Sequence, residues 1–284
     1  MKSNDPHSIV QDVYGQALKR AQQKAATTPC CAVPMPAGRP VADESTATRY
    51  PEAAASSFGC GNPLAFAEVG PGQTVLDLGS GAGLDLLMAA EAVGPEGQVI
   101  GVDMTADMVE AARENIRRSG HTNIELRQGM IEDLPVEDAS VDWVISNCVI
   151  NLAPDKHRVF AEIARVLKPG GRISVSDMVV GDLPDWLRSN AAAYVACIGG
   201  AISEEEYVAG VGAAGLMDVA VTERHVYDAA SLRALVASEL ITGEVASEEL
   251  DSAVNEAAGK VWSIKVTGTK PAGPVTPRTE RHRG

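Results

Sequence analysis

Thiols carry the most distinctive chemistry in this 284-residue chain. Cysteines stand at five positions: Cys30, Cys31, Cys60, Cys148 and Cys197. An odd, widely spread set does not make a disulfide framework, and no pair has C-x-x-C spacing. No histidine lies near them at zinc-ligand spacing either. Three of them have unusual neighbours. Cys148 sits in "SNCVINL" (146–152), straight after the apolar run Val141–Ile145 and flanked by Asn147 and Asn151. Cys60, in "FGCGNP", lies between two glycines that would leave its sulfur uncovered. Cys197, in "ACIGGA", falls at a helix end. A free cysteine often only fills space, so the meaning of these thiols depends on whether the fold brings them together.

The elements that must do so are legible from periodicity. Residues 8–25 have helical spacing of apolar residues. Residues 26–59 lose it, are rich in Pro, Ala, Thr and Ser, and read as a mobile segment bearing Cys30 and Cys31. From residue 73 the chain alternates. "QTVLDLG", "GQVIGVD", "TNIELRQ", "VDWVIS" and "RISVSDMVV" read as strands. "AGLDLLMAAEAV", "TADMVEAARENIRRS" and "DKHRVFAEIARVLK" read as helices, the last stopped by the glycines of "LKPGG". Such alternation predicts an α/β domain with a parallel sheet covered by helices on both faces. Beyond residue 181 come a helix over 184–201 and a capping-box helix starting at Ser203. A strand near 217–224, a helical stretch 229–258 and a last strand near 260–269 follow.

The first strand runs into "VLDLGSGAGLD" (75–85), where Asp77, Gly79, Gly81 and Gly83 form D-x-G-x-G-x-G with Ser80 between the first two glycines. Glycines there let the backbone turn tightly and approach a ligand. Asp103 ends the next strand, 20 residues after Gly83, where a carboxylate suits ribose hydroxyls; Met104 follows it. The glycine spacing differs from the G-x-G-x-x-G of dinucleotide enzymes. The Asp77 carboxylate beside the loop is hostile to a pyrophosphate and suits a cationic cofactor, which favours S-adenosyl-L-methionine. After the third strand, "GMIEDLP" offers Ile131 to sandwich an adenine and Glu132 or Asp133 to accept from its amino group. The glycine loop, Asp103 and the strand order resemble the class I S-adenosylmethionine-dependent methyltransferases. That resemblance implies a Rossmann-like sheet of seven strands, mostly parallel with the last antiparallel, and methyl transfer.

Ligands of open α/β sheets bind at the carboxyl ends of the strands. Cys148 falls there, and chain order would allow Cys60 and Cys197 to meet it over the cofactor. Three soft ligands select a thiophilic centre. Zinc would call for a fourth ligand and tighter spacing. Arsenic(III) suits three sulfurs in a pyramid with its lone pair free, and that lone pair could attack a sulfonium methyl without a general base. His121 and His157, in a loop and at a helix start, read as solvated.

At this point the sequence resembles the arsenite methyltransferases in particular. The matching stretches are "VYGQAL", "FGCGNP", "LDLGSGAG", "GVDMT", "SNCVINL", "RVLKPGG", "VSDMVV" and the "CIGGA" cysteine, spread over most of 10–225. The resemblance implies arsenite methylation, as in arsenic detoxification, at a site formed by Cys60, Cys148 and Cys197. It also implies a thiol relay through an N-terminal cysteine, here Cys30 or Cys31, and glutathione or thioredoxin as reductant. Asn147 leaves the strand first and is the expected cofactor neighbour. Two other readings stand beside this one: a methyltransferase of a quinone or sterol-like carbon acid, with the cysteines as packing, and a non-catalytic metalloid-binding protein.

Four segments follow: an N-terminal helix with the cysteine-bearing segment (1–60), the cofactor-binding domain (61–181), substrate-side helices and final strands forming a C-terminal α+β extension (182–270), and a Pro-rich, charged, disordered tail (271–284). A formal net charge of −14 excludes a nucleic-acid partner, which needs clustered Lys and Arg. No apolar run reaches the length of a membrane span and the start lacks the apolar core of a secretory signal. The expectation is therefore a cytoplasmic protein with reduced thiols and no membrane partner.

Overall fold

The computed structural model describes residues 5–27, 44–57, 64, 67–188, 197–233 and 247–273. Cys30, Cys31, Cys60 and the expected tail from 274 onward lie outside the described residues. One seven-stranded sheet organises the chain, with strand order β3-β2-β1-β4-β5-β7-β6. Its strands are β1 (Thr74–Leu78), β2 (Gln98–Asp103), β3 (Ile124–Gln128), β4 (Val141–Asn147), β5 (Leu167–Val180), β6 (Met217–Val226) and β7 (Val261–Thr269). The first five pair in parallel, while β7 inserts between β5 and β6 and runs antiparallel to both. The expected mostly parallel sheet with an antiparallel last strand is therefore the observed one.

Near-continuous burial explains why the central strands read as apolar runs. Leu76, Leu78, Val144, Ile145, Ile173 and Val175 are buried between helical layers. The parallel register aligns the strand ends: Leu78 pairs with Val102 on one side and with Ser146 on the other. Gly79, Asp103 and Asn147 thus leave the sheet side by side at its carboxyl edge. On β5, Ser176 lies opposite Asn147.

Helices α4 (Leu84–Val93), α5 (Ala106–Ser119) and α6 (Lys156–Val166) fall where the periodicity placed them. Asp155 caps α6 by accepting from the Arg158 amide, and the helix buries Val159, Phe160, Ile163 and Val166. The Ser203–Glu206 capping box opens α8 (Glu204–Ala213). Helix α1 (Pro6–Thr27) lies near α5 and α3 (Pro51–Ala55), with the short α2 (Glu44–Arg49) beside α3. Two boundaries differ from the sequence reading. β5 begins at Leu167 and takes in "LKPGG", with an irregularity in its pairing to β4 between Val141 and Trp143 and Gly170 at φ +82. Of the helix expected over 184–201, α7 spans Asp185–Arg188, residues 189–196 lie outside the described residues, and the chain is in a turn from Cys197. Helix α9 (Ser247–Ala257) covers the end of the stretch expected to be helical.

Candidate functional site

The glycine loop is built by backbone conformation. Gly79, Gly81 and Gly83 all have positive φ, at +65, +51 and +91. Gly79 has a second constraint: a Cβ there would stand 2.4 Å from Cγ2 of Val149, the residue after Cys148. The cofactor loop and the thiol-bearing loop therefore touch through a glycine that must lack a side chain. Asp103 holds the loop from the next strand. Its Oδ2 accepts from the Gly81 amide at 2.9 Å and its Oδ1 from the Thr105 amide at 2.8 Å, which also opens α5.

Three carboxylates crowd this corner. Asp77 is 2% exposed, and burial, followed by the charges of Asp85 and Asp103, holds its carboxyl well above the usual carboxylate range. Asp85, in the first turn of α4, is pushed up to about 6 by burial, against the lowering effect of its hydrogen bond from Asn147 Nδ2 at 3.1 Å. Asp103 is also raised by burial, an effect opposed by its two backbone donors. Oδ2 of Asp77, Oδ1 of Asp85 and Oγ of Ser80 are buried without a hydrogen-bond partner. Buried carboxylates with unsatisfied oxygens create a site that favours a cation. That is the chemistry of a sulfonium and an ammonium, so the residues present fit S-adenosylmethionine.

In front of them opens a cleft with about 910 Å³ of empty space, solvent included. Of the residues assigned to the cofactor from sequence, Gly79, Ser80, Gly81, Asp103, Met104, Ile131, Glu132 and Asn147 line it. Asp77 and Gly83 do not line it. Asp77 stands behind the loop on β1, and Gly83 caps α4, where a Cβ would press on Ala112 at 3.3 Å. Of the two acids, Glu132 lines the cleft with its side chain 12% exposed, whereas that of Asp133 is 84% exposed. Glu132 Oε1 is 2.9 Å from His7 Nε2 on α1.

Helix α1 forms a wall that sequence reasoning missed. His7, Val10 and Tyr14 face the cleft, Ser56 and Ser57 close it beyond α3, and Gln11 Nε2 donates to the Met104 carbonyl at 3.1 Å. Amphipathic spacing announced the helix but not which element its polar residues would meet. Asp85 was also missed, because an acidic residue in a helix's first turn has an ordinary structural explanation.

Cys148 lines the same cleft. Its backbone is left-handed at φ +60, and its amide donates to the Ser176 carbonyl at 2.8 Å. Cys197 shares that φ of +60, is 4% exposed, and its Sγ donates to the Cys148 carbonyl oxygen at 2.9 Å. The Cys197 side chain therefore reaches the backbone of Cys148, 49 residues away in the chain. Cys60, Cys30 and Cys31 lie outside the described residues. Cys197 is a buried thiol. His157 is exposed as expected, whereas His121 is half-buried, its Nε2 3.2 Å from the Tyr50 hydroxyl, away from the cleft.

Comparison with known proteins agrees with this geometry. Residues 70–227 match the family model described as a methyltransferase domain. The arsenite methyltransferase of Halobacterium salinarum is 49% identical over 168 residues, covering 59% of this chain and 43% of that protein. The human arsenite methyltransferase is 36% identical over 207 residues, covering 69% and 54%. The chain thus spans about half the length of these curated relatives. Among solved structures, the arsenic(III) S-adenosylmethionine methyltransferase of Chlamydomonas reinhardtii superposes with a TM-score of 0.62 at 32% identity, covering 90% of this chain and 74% of that one. A cationic-cofactor corner, a cysteine in the same cleft and these likenesses lead to one statement: the chain belongs to the arsenite S-adenosylmethionine methyltransferase family, within the class I methyltransferases.

Proposed function

We propose that this chain transfers a methyl group from S-adenosylmethionine to trivalent arsenic held by cysteine thiolates, in the service of arsenic detoxification in the cytoplasm. The observation that carries the reading is the meeting of Cys197 Sγ with the Cys148 carbonyl, on a loop that also touches Gly79 of the glycine loop. That contact supports a reading in which substrate thiols stand beside the cofactor loop.

Each group has a defined task. Asp77, Asp85 and Asp103 supply negative charge near the cofactor's cationic end, with Asp103 also facing its ribose. Ile131 and Glu132 take the adenine, and Asn147 stands between cofactor and substrate. S-adenosylmethionine, when bound, supplies a methyl carbon on a positively charged sulfur, which a lone pair can take without a base. Cys60, Cys148 and Cys197 hold arsenic(III) through sulfur and leave its lone pair free. Arsenite and methylarsenite are the substrates. Turnover also calls for a thiol reductant, glutathione or thioredoxin, with Cys30 or Cys31 relaying the exchange.

Thiol titration with and without arsenite tests the ligand set: about three thiols protected, with reductant present, supports it. Unchanged titration removes arsenic from the reading and leaves a methyltransferase of a small organic substrate.

A further inference from the structure

A fully buried polar cluster lies directly behind the two thiols and has no part in the chemistry above. Asn151, three residues after Cys148, is 0% exposed, as are Asp177 and Tyr207. Asn151 Nδ2 spends both its protons on β5, donating to Asp177 Oδ1 at 2.8 Å and to the Met178 carbonyl at 2.6 Å. Tyr207, from α8, donates its hydroxyl to Asp177 Oδ2 at 3.3 Å. Lys156 Nζ donates to the carbonyls of Asn151 and Ala153 at 3.3 and 3.1 Å, closing the other end of the short 3-10 turn Ile150–Leu152.

The cluster has a clear geometrical effect. With the Cys148 amide bound to Ser176, the loop is pinned to three successive β5 residues, Ser176, Asp177 and Met178. That pinning holds Cys148 at φ +60, a conformation a non-glycine residue adopts at a cost. The Cys148 carbonyl so fixed is the acceptor that positions Cys197 Sγ. Apolar residues of the same volume would fill this space without the desolvation cost of a buried carboxylate and a partly buried ammonium. What they could not supply is direction, since hydrogen bonds fix angles and van der Waals contact does not.

Resting on the function proposed above, we propose that Asn151, Asp177, Lys156 and Tyr207 form a positioning frame that sets where the Cys148 and Cys197 sulfurs stand for arsenic(III). These are positioning residues that act through the turn they hold, and they touch neither substrate nor cofactor. None of the frame's hydrogen bonds reaches the glycine loop or Asp103, although Lys156 also feels the charge of Glu132 and the loop it holds touches Gly79 through Val149.

The test compares wild type with Asn151→Leu and Tyr207→Phe in the presence of reductant. It measures arsenite half-protection of thiols, cofactor affinity by calorimetry, KM for arsenite against KM for the cofactor, and melting temperature. Asn151→Leu is expected to weaken arsenite about tenfold, in line with the loss of buried hydrogen bonds, while cofactor affinity stays within about twofold. Tyr207→Phe, which keeps the ring and removes one hydroxyl, is expected to shift arsenite alone by about threefold. If Asn151→Leu does not fold, Tyr207→Phe carries the same comparison. Arsenite and cofactor weakening together, in step with lost stability, means a merely structural cluster and overturns the frame, as does unchanged arsenite affinity. Failure of the wild type itself to bind arsenite overturns the function proposal as well, and is recognised by its appearing before any substitution.

Discussion

Single side chains bear the chemical predictions. Cys148→Ser keeps the size and removes the soft ligand, so it is expected to abolish arsenite turnover while cofactor affinity, read by calorimetry, stays near wild type. A large loss of cofactor affinity would make that thiol structural instead. Asp85 gives a pH prediction. Its carboxyl is pushed up to about 6 by burial, so below that pH it carries a proton in the free protein. A cationic cofactor favours the ionised form, and binding must then release that proton. Affinity for S-adenosylmethionine should therefore fall as pH drops below about 6, approaching tenfold per unit when one proton is displaced. Asp85→Asn should flatten that dependence and lower the affinity at pH 8. Asp177 sets a stability trend of the opposite kind. Burial raises it to about 7 from an ordinary 3.8, so the folded state binds the proton more tightly than the unfolded chain. Its contribution to stability is full at low pH and declines as pH rises from about 4 through 7. In melting experiments across that window, Asp177→Asn should show a shallower decline than wild type.

At the level of elements, the β1–α4 turn and the loop after β4 are a matched pair. Gly79→Ala would place a methyl 2.4 Å from Val149 Cγ2 on a backbone at φ +65. The expected cost is about 1–3 kcal/mol in stability, with weakened binding of both cofactor and arsenite, because one clash moves both loops. Adding Val149→Ala should recover part of the loss and leave the share due to φ. Ser203→Ala is the contrasting case: it removes the capping box of α8, should cost about 1 kcal/mol, and should leave KM values unchanged.

Much of this architecture was readable in advance. Strands β1, β2, β4 and β5 announced themselves because a parallel sheet buried on both faces forces near-continuous apolar runs. The glycine loop and Asp103 were readable because positive φ and a strand-end carboxylate restrict residue choice sharply. What escaped were pairings distant in sequence. His7 and Glu132 are 125 residues apart, and Asn151 and Asp177 are 26 apart. Hydrogen bonds of that kind leave no periodic trace. Cys148 and Cys197 were legible as a pair only through their neighbours and the topology rule for strand ends. Asp77, which the motif marked as a cofactor residue, stands behind the loop on β1, buried and with its Oδ2 unsatisfied.

For the molecule as a whole, the strand order gathers both halves of the site at one sheet edge, and α1 returns from the N-terminal side to wall the cleft. No described helix is long and apolar enough to cross a membrane. The chain spans about half of its curated relatives, so the activity of this chain itself is the claim most in need of measurement. The direct test is to incubate the purified protein with arsenite, a thiol reductant and S-adenosylmethionine carrying a labelled methyl, then separate the arsenic species by chromatography. Label in methylated arsenic, absent without arsenite and lost in Cys148→Ser, is the result predicted here. Protein that binds the cofactor and yields no methylated arsenic would contradict the account.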